Sequence, residues 1–432
     1  MAEKNGSKFV IQGLGGKRLL RGKLAVNGSK NDALQALSAA PLFAGVYKLK
    51  NVPEIEDIKK LTEILVSLGI KLISKKSHEL IFDSSKLSNS NIDSEISKRL
   101  RGSVILTGPL LARTGRAYFP HPGGCVIGER PIDIFLDGFA QMGAKVELMD
   151  KIYNVIAPKS GLKGTTIFFR HQSVTATETF MMAATLARGV TILKNCAIEP
   201  EIESLGKFLI KSGAKIEGLG TTTLKIRGGK LLKAPSTGYK VLPDRIEAGS
   251  LIILGALTAK KLEVTNCEPA HLESLINWLR MAGVKIEVKK SSLIISCIRD
   301  NPTFNPLKIK THEYPGFPTD LQAIISVFLT QATGESKIFE TIFEDRLHHL
   351  HILKEMGANV TVYDAHRATI IGPTPLQGRH VYSPDLRAGL AYVIAATIAE
   401  GESVVHNVHY IDRGYESLEE RLRRIGLNIK KE

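Results

Sequence analysis

One short pattern recurs six times along this chain. A Leu, Met, Ser, Ala or Ile, then Gly, a small or apolar residue, Lys or Asn, and another apolar residue appear as LGIKL, MGAKVEL, SGAKIEG, AGVKIEV, MGANVTV and IGLNIKK. The glycines are Gly69, Gly143, Gly213, Gly283, Gly357 and Gly426, at intervals of 74, 70, 70, 74 and 69 residues, and six units of 72 fill the 432 residues. That period exceeds those of common solenoids, so each unit is expected to be a small α/β subdomain packed on its neighbours.

Within each unit a helix-like apolar segment runs through a turn into a strand, as in LARGVTILKN and IAEGESVVHN. β-Branched residues after the turn suit a strand. A second helix follows, as in EIEDIKKLTEILVSLG and HLESLINWLRMAG, with apolar residues three and four apart. The periodic glycine then ends that helix, because the left-handed backbone of a helix C-cap suits glycine. Six units divide into three plus three, which predicts two domains with a cleft between them, the usual place for a ligand.

No apolar run approaches the roughly 20 residues that span a bilayer; LIILGALTA and LAYVIAATIA are too short. The start MAEKNGSKF lacks the apolar stretch of a secretory signal. A cytoplasmic protein with no membrane partner is expected. The formal charge of +15 invites a nucleic-acid reading, but the basic residues are scattered and aromatics make up only 6%. No nucleic-acid partner is expected, since such binders gather their charge into a patch or stripe.

Four cysteines lie far apart with no C-x-x-C pair, which suggests neither a metal site nor a disulfide framework. Cys196, Cys267 and Cys297 sit in strand-like apolar surroundings and read as packing residues. Cys125, in FPHPGGCVIGERPID, stands instead behind two glycines with Arg130 and Asp133 close by.

Polar clusters interrupt the apolar pattern at element ends: NGSKND, LRGS, RHQSVTAT, FPTDLQ, FEDRLHH, PDLRAG and DRGYE. They supply Lys30, Arg101, Arg130, Arg346, Arg387 and Arg413 beside Asp320 and Asp385. Taken singly each is an ordinary surface charge; together they suit an anionic ligand, because arginine offers a planar fork and lysine a point charge. GLGGKR lacks the third glycine of a dinucleotide fingerprint, NGSKND is not a P-loop, and neither G-x-S-x-G nor H-E-x-x-H occurs. The histidines of RLHHLH are spaced to flank a helix rather than to hold a metal.

With GSKNDA, PGGCVIGERPID, SVTAT, EPEI, LPDRIE, FPTDLQ, FEDR, DLRA and IDRGYE in this order, the sequence resembles, nearly end to end, the UDP-N-acetylglucosamine branch of the enolpyruvyl transferase family. The resemblance implies a two-domain inside-out α/β barrel of six repeats. One domain would be residues 30–242, carrying the Cys125 lid loop, and the other residues 1–29 plus 243–432. It implies transfer of the enolpyruvyl group of phosphoenolpyruvate to the 3-hydroxyl of UDP-N-acetylglucosamine with release of phosphate, the first committed step of peptidoglycan synthesis, with no cofactor and no metal.

Cys125 would be the proton donor and the target of fosfomycin, and Asp320 the base. Lys30, Arg130 and Arg413 would grip phosphoenolpyruvate, with Asp385 and Arg387 near the reacting centre. Asn31, Arg101, Pro131, Ile132, Asp133, Ile134, His171, Ser173, Val174 and Ile342 would line the nucleotide-sugar site with Asp320, and Arg346 would contribute to the closed cleft. Arg170, Thr175 and Phe135 depart from the family pattern. The rivals are the sister enzyme that acts on shikimate 3-phosphate, a basic nucleic-acid binder and a silent paralogue; the presence of both Cys125 and Asp320 favours the active transferase.

Overall fold

The computed structural model describes residues 6–92, 94–121, 128, 131–297 and 303–432. Among these the chain divides into two compact units, one from residues 6–27, 128, 243–297 and 303–432, the other from residues 28–92, 94–121 and 131–242. Each has its own apolar core, around Leu251, Phe328 and Tyr392 in the first and around Tyr47, Phe119 and Phe180 in the second. The chain is mixed α/β, with three sheets in each unit.

All six periodic glycines have positive φ, between 90 and 108°. They follow the helices Glu56–Ser67, Asp133–Gln141, Pro200–Lys211, Glu273–Met281, His349–Glu355 and Leu418–Arg424. The residue after each glycine donates its N–H five residues back: Ile70 to Leu65, Ala144 to Phe139, Ala214 to Leu209, Val284 to Leu279, Ala358 to Leu353 and Leu427 to Leu422. This is the Schellman closure, which satisfies a terminal helix carbonyl and needs a left-handed residue.

The sheets share one plan. In the first unit Lys308–Lys310 runs parallel to Gly334–Phe339, which pairs antiparallel with Arg367–Gly372, and that strand with Asn359–Val362. The amino-terminal strand Phe9–Gln12 pairs with Glu402–His406 and with Ile429–Lys431, so the chain's beginning completes the sheet formed at its end. Among the described residues, one sheet of the second unit, built on Arg116–Pro120, has three strands rather than four.

The first helix of each repeat is largely buried. Arg245–Thr258, Gln322–Leu329 and Leu386–Ile398 pack on one another in the first unit, and only Arg245 of the fourteen residues in the first of these is not buried. A helix without a solvent face belongs inside a core. In the second unit Lys30–Ser38, Thr107–Thr114 and Val174–Ala184 take this role. Gly108 lets the latter two approach closely, since a Cβ there would lie 2.4 Å from the carbonyl oxygen of Thr179.

The polar clusters begin these helices. Ser29, Ser173, Asp244 and Asp385 are N-caps whose side chains accept backbone N–H groups of the first turn, each worth roughly 1 kcal/mol. A second periodic residue accompanies the glycines. Asn51, Asn195, Asn266 and Asn407 each follow a strand with φ between 51 and 60°. Their Nδ2 groups donate to the carbonyls of Val241, Phe169, Val26 and Ser383, in each case the residue just beyond the neighbouring parallel strand.

Candidate functional site

In the first unit the segment FPTDLQ forms the short 3-10 turn Thr319–Leu321, which feeds directly into the buried helix Gln322–Leu329. Arg387 is the second residue of the neighbouring buried helix Leu386–Ile398. The packing of these two helices brings their amino ends together. Asp320 Oδ2 accepts from both Nε and Nη2 of Arg387, at 3.1 and 2.7 Å. Its Oδ1 accepts from Arg346 Nη2 at 2.8 Å. Both guanidiniums are buried, with side chains 5 and 8% exposed, whereas the carboxylate keeps 29% of its side-chain surface.

Burial alone would raise the Asp320 carboxyl pKa. The charges of Arg387 and then Arg346, with their hydrogen bonds, outweigh it and hold that pKa far below the usual carboxylate range. Burial likewise opposes the charge on Arg387, and the carboxylate of Asp320 overcomes it, raising that guanidinium further. Asp320 is therefore an ionised acceptor at any physiological pH. A carboxylate offers about four lone-pair sites, and the two arginines occupy three.

A ring of supports fixes this clamp. Arg387 Nη1 donates to Tyr415 Oη at 2.8 Å. Arg346 Nη1 donates to Thr319 Oγ1 at 3.1 Å, and Thr319 Oγ1 donates in turn to Oε2 of the buried Glu340 at 2.9 Å. His349, whose pKa burial pushes down to about 3 and which is therefore neutral, lies 3.1 Å from both the Arg346 carbonyl and Ser326 Oγ. Arg346, Arg387, Asp385 and His348 line one pocket. Asp345 lines the same pocket, so the two guanidiniums there stand beside the carboxylates of Asp345 and Asp385 as well as that of Asp320.

Asp385, expected near the reacting centre, has a structural duty: its Oδ1 accepts from the Arg387 and Ala388 N–H groups as a helix cap. It thereby sets where Arg387 begins. Ile342 is half-buried, its N–H held by Glu340 Oε1. Arg413 ends the 3-10 segment Val408–Arg413 and is half-buried.

In the second unit Lys30 opens its helix, and its Nζ lies 2.7 Å from Oδ2 of the buried Asp57. A cation at a helix amino terminus opposes the helix dipole, so Asp57 offsets a placement that local structure disfavours. Asn31 is half-buried on the same turn, and Arg101, also half-buried, begins the 3-10 segment Arg101–Leu106. Asp133 is the exposed first residue of helix Asp133–Gln141, preceded by exposed Pro131 and followed by half-buried Ile134. Ile132, expected to line the nucleotide site, is only 3% exposed and belongs to the apolar core, so only its backbone is available for that task. His171 is exposed, and Ser173 caps the helix that half-buried Val174 begins.

Cys125 and Arg130 lie outside the described residues. Cys196 and Cys267 are buried, and Cys297 is half-exposed, since the strand Ser292–Ser296 ends one residue before it. The structure thus groups Asp320, Arg346 and Arg387, and pairs Lys30 with Asp57. Sequence reasoning missed Asp57, Thr319, Glu340 and Tyr415. The last three stand within or beside the motifs FPTDLQ, FEDR and IDRGYE, and Asp57 heads a helix as a first-turn acid, which reads as dipole compensation. Among the described residues no three His, Cys, Asp or Glu side chains group to hold a metal, and no helix is long and apolar enough to cross a membrane.

Solved structures share the architecture. The enolpyruvyl transferase NikO from Streptomyces tendae superposes with a TM-score of 0.88 over 99% of both chains at 23% identity. An EPSP synthase from Acinetobacter baumannii does so with 0.75 over 99% of this chain and 100% of its own, at 17% identity. The profile of the family described as EPSP synthase (3-phosphoshikimate 1-carboxyvinyltransferase) matches residues 15–422. UDP-N-acetylglucosamine 1-carboxyvinyltransferase of Koribacter versatilis is 43% identical over 98% of this chain and 96% of its own. That of Helicobacter pylori is 38% identical over 95 and 96%. The chain therefore belongs to the enolpyruvyl transferase family, in the branch of the UDP-N-acetylglucosamine 1-carboxyvinyltransferases, and is an enzyme of the transferase class.

Proposed function

We propose that the chain transfers the enolpyruvyl group of phosphoenolpyruvate to the 3-hydroxyl of UDP-N-acetylglucosamine and releases phosphate, the first committed step of peptidoglycan synthesis. The reaction takes place in the cytoplasm and uses no cofactor. The observation that carries the chemistry is the Asp320 clamp, an ionised, partly exposed carboxylate fixed by two buried arginines. The relatives' names, over nearly the whole chain, supply the substrates.

The methylene carbon of phosphoenolpyruvate takes a proton from Cys125, leaving an oxocarbenium-like C2. The sugar oxygen bonds to C2 as its proton departs toward Asp320. Loss of a methyl proton, returned to the Cys125 thiolate, and cleavage of the C2–O bond to phosphate then restore the double bond. Asp320, its pKa held low by two guanidiniums, is too weak a base to ionise the hydroxyl beforehand. Its fourth lone-pair site orients that hydroxyl and takes the proton late, when C–O bond formation has made it acidic. Lys30, Arg130 and Arg413 hold the anionic donor and stabilise departing phosphate, and Arg387 fixes Asp320. Asn31, Arg101, Asp133, Ser173 and the backbone at Ile342 hold the nucleotide sugar. The architecture that fits is the two-domain inside-out barrel, residues 30–242 and residues 1–29 with 243–432, in keeping with the three buried helices of each unit.

The test is phosphate release from phosphoenolpyruvate with either acceptor present. Release that depends on UDP-N-acetylglucosamine is the expected result. Release with shikimate 3-phosphate instead would overturn the reading in favour of the sister activity.

A further inference from the structure

Four of the six repeats close the strand after the first helix with an asparagine of positive φ that ties down the neighbouring parallel strand. Four independent uses make this the structural solution for that corner of the fold. The strand Gly334–Phe339 departs from it: the next residue is Glu340, and this is the repeat that carries Asp320. Arg116–Pro120 departs too, ending at His121 on the way to Cys125.

The geometry at Glu340 keeps the corner contact and adds others. Thr311, the residue just beyond the parallel strand Lys308–Lys310, donates its hydroxyl to Oε1 at 2.9 Å, where the other repeats use a carbonyl and an asparagine. Oε1 also accepts the N–H of Ile342 at 2.9 Å and of Phe343 at 3.3 Å. Oε2 accepts from Thr319 Oγ1 at 2.9 Å, and that oxygen receives Arg346 Nη1 at 3.1 Å. Glu340 is 0% exposed and is not among the residues that line the pocket beside Arg346 and Arg387. An asparagine side chain is one carbon shorter, and its amide could not receive a hydroxyl and two N–H groups at one end and a second hydroxyl at the other.

We infer that Glu340 is a positioning residue for the transferase reaction, acting through Thr319 to hold Arg346 on Asp320 and through two backbone N–H groups to hold the turn at Ile342. The inference rests on the proposed function. It explains why the repeat that bears Asp320 gives up the asparagine: closing the corner needs only one bond, whereas orienting an arginine and a substrate-facing turn needs an acceptor with several.

The test compares Glu340→Gln, Thr319→Val, Thr319→Ser and the Glu340→Gln/Thr319→Val pair with the parent enzyme, using UDP-N-acetylglucosamine and phosphoenolpyruvate, with thermal unfolding of each. Glu340→Gln and Thr319→Val are each expected to lower kcat roughly tenfold to a hundredfold, the cost of slight misplacement of a reacting group. KM for the nucleotide sugar should rise for Glu340→Gln, which also loosens the Ile342 turn, and hardly for Thr319→Val. Thr319→Ser should recover most of the rate lost in Thr319→Val. The double variant should be no slower than Glu340→Gln alone, because both changes cut one chain of bonds.

Losses in kcat that multiply in the double variant, or a rate for Glu340→Gln equal to that of the parent, would overturn the inference. If Glu340→Gln does not fold, unequal rates for the valine and serine variants at 319 support it and equal rates overturn it. An inactive parent overturns both readings; an active parent with unaffected variants overturns this one alone.

Discussion

Arg387 lays two N–H groups on a single oxygen of Asp320, and Arg346 takes the other oxygen. That division leaves one acceptor site open and fixes its direction. Lysine cannot reproduce it, since its ammonium is a point donor on a flexible stem. Arg387→Lys is therefore expected to lower kcat roughly a hundredfold while the protein still folds, with a modest loss in urea stability. Steady-state kinetics beside a urea titration separates the two effects.

Asp320→Asn removes the charge that the two buried guanidiniums face. Breaking one side of a buried ion pair costs roughly 3–5 kcal/mol, so the variant should unfold at distinctly lower urea. Its kcat should fall by at least about a hundredfold. Asp320 stabilises the fold only while ionised. Because its pKa is lowered, that contribution is complete above the unfolded value near 4 and is lost as pH falls further.

Asp32 has the opposite sign. Burial raises its pKa to about 7, against hydrogen bonds from Tyr239, the Leu242 N–H and Gln35. Between about pH 4 and pH 7 the folded state keeps a proton that the unfolded state has released, so stability falls as pH rises through that window. Asp32→Asn should make the decline of Tm across it shallower. Thermal unfolding at intervals of one pH unit checks this.

Burial pushes the Cys196 thiol up to about 12 and Cys267 up to about 11. Thiolate is the reactive form, so neither should react with an alkylating agent in the native enzyme. Mass spectrometry after fosfomycin treatment should find the label on Cys125 and none in Cys125→Ser. Label on Cys196 or Cys267 would contradict the assignment.

What could be read from the sequence depended on how local each constraint is. Gly69, Gly143, Gly213, Gly283, Gly357 and Gly426 were legible because a left-handed helix end restricts one residue at one position. The asparagines that mark four of the same repeats were equally local and were missed, since the pairs NV, NC, NC and NV look like ordinary turns. Lys30, Arg346 and Arg387 could be recognised as cations, but their partners could not. The contacts of Lys30 with Asp57 and of Arg346 and Arg387 with Asp320 depend on which elements meet, and no spacing rule encodes that. Asp385 shows the reverse limit: D-L-R-A is compatible with catalysis or with a helix cap, and only the two N–H groups on Oδ1 reveal the cap.

The most direct measurement is the mass of the nucleotide sugar recovered after incubation with phosphoenolpyruvate, set against the phosphate released. The account predicts UDP-N-acetylglucosamine enlarged by one enolpyruvyl group, one phosphate per product, and loss of both signals in Asp320→Asn. An unchanged nucleotide sugar, or full activity in Asp320→Asn, would contradict it.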